Sequence, residues 1–339
     1  MRAARLTPPV GSSRRRLPRR AAVLAVAAFV FPGALATGCA GAQSPRAGRG
    51  AAASVAARTH ADTAALRRTL DSLADAHHGV VGYTVHNLDT GERLERRGDE
   101  PFPTASLIKV PILVALYDRV QKGELALGDP IRVTKVDKVP GSGQLQFFHD
   151  NHEITVADAA RLMITISDNT ATNLLLDKVP MRKVWEKMEA LGLPRTKVHS
   201  KTFQRFTSVA MDSSAKYGLG VTTPNEMARL FALLADGKAV SPAADSAMLE
   251  LLADNETNDK LQRYVEGVRA PHKTGETEQV RTECTLWYLQ SRVVACVLTR
   301  ENADRRWVLD TEPQVTMARM GAAIVGAWPR ATRTTAAAQ

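Results

Sequence analysis

Apolar positions recur at helical spacing from about His60 to Ala76, with Leu66, Leu70 and Leu73 on one face and Gly79 following as a stop. Val80 to Leu88 then reads as a strand, turned by Asp89-Thr90-Gly91 into a second short one. A long apolar helical run covers Ala105 to Val120, and the middle of the chain stays helical over Val156–Ile166, Thr170–Val179, Met181–Leu191, Pro224–Ala235 and Pro242–Ala253. Strands return near the carboxyl end. One starts at Lys273-Thr274, and Thr282–Leu289 with Arg292–Thr299 reads as a hairpin turned at Gln290-Ser291, before a helix from about Glu312 to Trp328. Two strands in front and three behind are too few for separate stable sheets, but enough for one antiparallel sheet of about five. The pattern therefore predicts an α/β fold, the sheet flanked by helices and carrying an inserted all-α region. Residues 59–103 and 256–330 would form the α/β part and 104–255 the helical part.

Hydrophobic residues make up 44% of the 339 and charged residues 24%, ordinary globular usage that excludes wholesale disorder, collagen and coiled coil. The net charge of +10 is concentrated at one end, because residues 1–38 hold seven Arg and no acid. Without them 38 basic side chains face 35 acidic ones, so nothing points to a nucleic-acid partner. Those 38 residues read as an export signal: an Arg-rich start, an apolar run from Ala21 to Val30 too short for a permanent span, then small residues up to Cys39. Leu35-Ala36-Thr37-Gly38-Cys39 resembles a bacterial lipobox, with Ala36 where that pattern usually has Leu. Two readings follow: Cys39 is lipidated and anchors the chain to a membrane, or cleavage near the same small residues releases a secreted protein with an exposed thiol. Both place the protein in the periplasm or outside the cell. Residues 39–58 then serve as a flexible tether, and 331–339 as a disordered tail.

Cys284 and Cys296 flank the hairpin turn, and an oxidising compartment would permit a bridge. Turn parity decides whether they share a face, and two buried thiols are the expected state. His149-Asp150-Asn151-His152-Glu153 has a metal flavour but lacks helical ligand spacing, so a solvated turn is expected and no metal or cofactor.

Three short patterns carry chemistry: Ser106-Leu107-Ile108-Lys109, Ser167-Asp168-Asn169 and Lys273-Thr274-Gly275. A Ser-x-x-Lys match alone means little, and the chain has a second at Ser213-Ser214-Ala215-Lys216, where no apolar periodicity would hold its geometry. The first opens an apolar helix, so Lys109 lies one turn from Ser106 and can reach its hydroxyl. Serine needs a base to become a nucleophile, and burial, a helix dipole and a second cation at Lys273 would each lower the Lys109 pKa. Each motif also has a plain structural reading: Ser106 as a helix cap with Lys109 snorkelling, Ser167-Asp168-Asn169 as a capping cluster, and Gly275 as a bulge in an exposed strand. Separated by 61 and 106 residues, all three occurring together are hard to attribute to chance.

Together they resemble the motif set of the penicillin-recognising serine hydrolases, nearest the class A β-lactamases, over roughly residues 60–330. The resemblance implies a β-lactamase/transpeptidase-like fold and a serine hydrolase that forms an acyl-enzyme. It makes Ser106 the acylated nucleophile, Lys109 its base and Ser167 a proton shuttle to the leaving nitrogen. Asn169 would bind the substrate amide and hold Lys109. Lys273 and Thr274 would hold the substrate carboxylate, with Gly275 giving its backbone room beside the strand. The backbone N–H groups of Ser106 and Glu276 would form the oxyanion hole. The substrate implied is a β-lactam or a D-Ala-D-Ala-type peptide, met by a monomer.

The stretch between the second and third motifs departs from that family. Class A enzymes carry a Glu-x-x-Leu-Asn loop whose Glu activates the deacylating water, whereas the stretch from His199 to Pro224 has no Glu and one acid, Asp212. Val221-Thr222-Thr223-Pro224 resembles the segment that closes that loop. Acylation is therefore expected and efficient release is not. A β-lactam hydrolase, a D,D-peptidase or esterase, and a binding module that acylates once all fit the motifs.

Overall fold

The computed structural model describes residues 61–330, so Cys39 and the expected export, tether and tail segments lie outside the described residues. In chain order the elements are α1 (Thr63–Asp75), β1 (Val80–Asn87), β2 (Arg93–Arg96), β3 (Phe102–Pro103), α2 (Lys109–Gln121), β4 (Pro130–Val133), β5 (His152–Thr155), α3 (Val156–Thr165), α4 (Asn169–Lys178) and α5 (Met181–Ala190). There follow β6 (Lys197–Val198), α6 (Met211–Tyr217), β7 (Gly220–Thr222), α7 (Pro224–Ala235), α8 (Pro242–Ala253), β8 (His272–Thr277), β9 (Val280–Tyr288), β10 (Arg292–Arg300) and α9 (Glu312–Ala327). Helix starts follow capping chemistry. The side chains of Asp62, Thr155, Asp168, Thr223 and Ser241 each accept a first-turn N–H, and Pro224 and Pro242 occupy first helical positions.

Five strands form one antiparallel sheet in the order β2-β1-β10-β9-β8. Alternation along β10 sets its two faces. Val293, Ala295 and Val297 pack with Leu66 and Leu70 of α1 and Met317 and Ile324 of α9. Val294, Cys296 and Leu298 join the second core, which surrounds α2 and includes Met163, Leu175 and Phe231. Nine consecutive residues of α2, from Lys109 to Tyr117, are buried, so this helix is core on every side. The expected α/β fold, an antiparallel sheet of five strands flanked by helices, is thereby present.

The structure corrects three expectations. Tyr288 pairs with Arg292, which leaves three residues in the hairpin turn and sets Cys284 directly opposite Cys296 at 4.1 Å between Cα atoms. The two form a disulfide on the side of the sheet that faces α2, in place of the expected free thiols. Ser213 to Lys216 are not unstructured but lie within α6. His152 and Glu153 pair with Val133 and Arg132 in a β4–β5 ribbon, so that cluster is part strand. Among the described residues, no group of three His, Cys, Asp or Glu is placed to hold a metal, and no helix is long and apolar enough to cross a membrane.

Candidate active site

Ser106 stands in a 3₁₀ turn, Ala105–Ile108, that runs into α2. Ala105 before it has φ 46° and Ser167 has φ 57°, left-handed conformations that cost a residue with a Cβ and that cluster at working sites. Both serines line one cavity of about 1130 Å³. Asp168 caps α4 through Oδ1, which accepts from the Ala171 N–H at 2.8 Å, while Oδ2 takes the Gln144 and Leu145 N–H groups at 2.6 and 2.9 Å. Gly143, at φ 105°, leaves room for this, since a Cβ there would stand 2.2 Å from the Asp168 carboxylate. The capping reading and the site reading of Ser167-Asp168-Asn169 therefore hold together: the cap fixes the residues on either side of it.

Lys109 is fully buried, and its Nζ donates to Ser167 O at 2.6 Å, Ser167 Oγ at 3.1 Å and Asn169 Oδ1 at 2.9 Å. Ser106 Oγ has no hydrogen bond among the described residues, so the expected Ser106–Lys109 contact is replaced in this state by one across the cleft. Lys273, fully buried on β8, donates to the same Ser167 Oγ at 3.1 Å and to Thr274 O at 2.8 Å. A Cβ on Gly275 would meet Thr104 O at 2.4 Å and Leu107 N at 2.7 Å. Glycine thus lets β8 lie against the Ser106 turn, and Thr282 Oγ1 of β9 clamps the contact by donating to Thr104 O at 2.9 Å. Ser106, Thr274, Gly275 and Glu276 all line the cavity, while the Glu276 carboxylate reaches Lys260 Nζ at 3.2 Å.

Burial removes the hydration that stabilises an ammonium, so both amines are shifted down. The Lys109 pKa falls well below its ordinary 10.5, first by burial and then by the Lys273 cation, with Asp168 opposing. Two of the three causes read from the sequence are thus at work. Lys273 is lowered to about 7 by burial and by Lys260, with Glu276 and Glu283 opposing. A neutral Lys109 on the Ser167 hydroxyl can accept a proton, and a partly charged Lys273 can hold a carboxylate.

Three contributors escaped the sequence reading. Lys260 is fully buried in the irregular stretch after α8, where no periodicity marks it. Asn173 grips the loop across the cavity: its Oδ1 accepts from Thr202 N and Oγ1 at 2.8 and 2.7 Å, and its Nδ2 donates to Thr202 O at 3.0 Å. His199 ties the ends of that loop, with its backbone N–H on Leu219 O at 2.8 Å and its carbonyl accepting from Val209 N at 2.9 Å. The polar types of Asn173 and His199 were visible, but the partner of Asn173 lies 29 residues away and those of His199 are further round the same loop. No acid of the 199–219 loop lines the cavity, and Asp212 is exposed away from it.

Residues 65–328 match the β-lactamase enzyme family. β-Lactamase AER-1 of Aeromonas hydrophila is 27% identical over 203 residues, 60% of this chain and 65% of that relative, so the chain spans just under two thirds of its length. The solved structure of a β-lactamase from Sphaerobacter thermophilus is 31% identical with a TM-score of 0.70, covering 78% of this chain and 97% of that one. A point mutant of PBP-A, solved as an acyl-enzyme complex with penicillin G, is 25% identical with a TM-score of 0.69, covering 78% and 96%. This chain belongs to the β-lactamase enzyme family.

Proposed function

We propose that the protein is a serine hydrolase of β-lactam amide bonds that works through an acyl-enzyme on Ser106 and releases it slowly. The observation that carries this reading is the buried Lys109 amine, depressed in pKa and hydrogen-bonded to Ser167 Oγ beside Ser106. Lys109 takes the Ser106 proton as Oγ attacks the carbonyl carbon, and the backbone N–H groups of Ser106 and Glu276 receive the developing oxyanion. Ser167 passes the proton on to the leaving nitrogen. Asn169 binds the substrate amide and keeps Lys109 in place, while Lys273 and Thr274 hold the substrate carboxylate beside Gly275. Release is slow because no carboxylate of the loop lines the cavity, which leaves Lys109 as the base for water. A positioned base is worth roughly 10²–10⁴-fold in such a step.

The same acid-free wall favours a second reading, a D,D-peptidase acting on cell-wall peptides. Intact-protein mass spectrometry against time after adding a penicillin separates the two. A transient Ser106 adduct, preceded by a burst of near one equivalent, supports the hydrolase; a permanent adduct marks a binding protein without turnover. Turnover of a D-Ala-D-Ala peptide selects the peptidase, and absence of any adduct refutes both.

The hydrolase domain spans 59–330 on a tether from a lipidated Cys39, in an exported monomer without a cofactor. The Arg-rich start, the apolar run and the small residues before Cys39 support that placement. Labelling of the protein by radioactive palmitate in a bacterial host, lost in Cys39→Ala, is the expected result.

A further inference from the structure

The cavity wall built by residues 200–219 carries polar groups that acyl transfer does not use. Ser214 in α6 is 2% exposed and lines the cavity, and its hydroxyl has no hydrogen-bond partner among the described residues. A buried hydroxyl left alone is destabilising, and an acceptor brought by a ligand removes that cost. Arg205 and Lys216 line the same wall, both exposed and neither in an ion pair among the described residues; Lys216 stands only over the Tyr217 ring, at 5.1 Å. The other cations of the lining are occupied. Lys201 pairs with Asp177, and Arg300 pairs with Glu100 and Glu301. Of the lining acids, Glu276 faces Lys260, which leaves Glu278 on the β8–β9 turn as the one without an ion pair among the described residues.

Substrate orientation follows from the assignments above, on which this inference rests. With the carboxylate at Lys273 and Thr274, the leaving nitrogen at Ser167 and the carbonyl oxygen between Ser106 and Glu276, the acyl side of the substrate is left to the 200–219 wall. We propose that Arg205, Lys216 and Ser214 form an anion subsite there, which selects acyl donors bearing a second carboxylate on the acyl side. Such donors include a penicillin with a carboxylated side chain and a D-Ala-D-Ala peptide whose preceding residue has a side-chain carboxylate.

Benzylpenicillin and its α-carboxy analogue differ by one carboxylate, so the ratio of their second-order rate constants for labelling Ser106 reads the subsite directly. Two exposed cations predict that the analogue reacts about three- to tenfold faster at low salt. The ratio should fall toward one in about 0.5 M NaCl, where the Debye length is short. It should also fall toward one in Arg205→Gln/Lys216→Gln, and partway in Ser214→Ala, whose melting temperature should not drop because the hydroxyl has no partner to lose. Equal or slower reaction of the analogue overturns the proposal, as does a ratio that survives the double variant or is insensitive to salt. The salt series on the unaltered protein decides the matter if the double variant does not fold. Failure of both penicillins to label Ser106 refutes the acyl-enzyme reading and this subsite with it, whereas benzylpenicillin labelling without preference refutes the subsite alone.

Discussion

Thr202 and Asn173 are locked together by three hydrogen bonds, two of which involve the Thr202 backbone: its N–H to Asn173 Oδ1 at 2.8 Å and its carbonyl from Asn173 Nδ2 at 3.0 Å. The backbone of the loop is therefore pinned independently of which side chain position 202 carries. Thr202 lines the cavity with Ser106 and Asn169. Replacing its side chain by a carboxylate would put into the cavity an acid of the kind that this loop lacks.

Thr202→Glu is expected to shorten the life of the penicillin adduct by about ten- to hundredfold, the lower part of what a placed base contributes. Adduct decay followed by intact mass measures it. A folded variant with an unchanged adduct lifetime would show that position 202 does not address the acyl carbonyl. Asn173→Ala should lower stability by about 1–3 kcal/mol, because it leaves backbone groups of the loop unpaired.

Ser106→Ala should abolish labelling by a penicillin and leave the thermal midpoint nearly unchanged. The residue makes no hydrogen bond through its side chain among the described residues, so its loss costs less than the ~1 kcal/mol typical of a true cap. Ser213→Ala, in the competing Ser-x-x-Lys sequence of α6, should label as the unaltered protein does. The reverse outcome would reassign the nucleophile.

The large elements were readable because each is announced locally. Capping side chains and first-turn prolines mark the helices, and β10 is a long apolar run joined to β9 by a short turn. Site residues were readable where a motif binds several functional groups within four positions, as in Ser106 to Lys109. What stayed hidden depends on contacts between distant segments. The two-residue strands Phe102–Pro103 and Lys197–Val198 exist only because each pairs with Gly220–Thr222. Lys260 acts through its proximity to Lys273 and Glu276, and no local pattern encodes that proximity. The disulfide turned on a single residue of turn length, which composition cannot fix.

The Cys284–Cys296 bridge closes a loop with a sequence separation of 12, for which chain entropy predicts about 3 kcal/mol of stabilisation. Alkylation in denaturant without reductant should find neither cysteine free. A Cys284→Ser/Cys296→Ser double variant should lose roughly that much stability in urea unfolding. Two free thiols in the purified protein would restore the reduced state that the sequence suggested.

Acylation should also depend on pH through the two buried lysines. An amine carries charge below its pKa, so the proposed hold of Lys273 on a substrate carboxylate should be present below about 7 and lost as pH rises through that value. Lys109 is depressed as well, which keeps the neutral, proton-accepting form available far below the ordinary lysine range. The pH profile of kcat/KM for acylation should therefore fall on its alkaline side near 7 as Lys273 loses its charge, since this quantity reports the free enzyme. Lys273→Arg keeps a charge at all accessible pH, because guanidinium does not deprotonate there, and should move the alkaline limb upward by more than about one unit even though the altered geometry lowers the maximum. Lys260→Gln removes the cation that depresses Lys273 and should shift the same limb in the same direction. Stopped-flow acylation by a chromogenic cephalosporin between about pH 5 and 10 brackets the Lys273 ionisation. An alkaline limb that stays fixed in both variants would mean that another group controls it and that Lys273 does not hold the carboxylate.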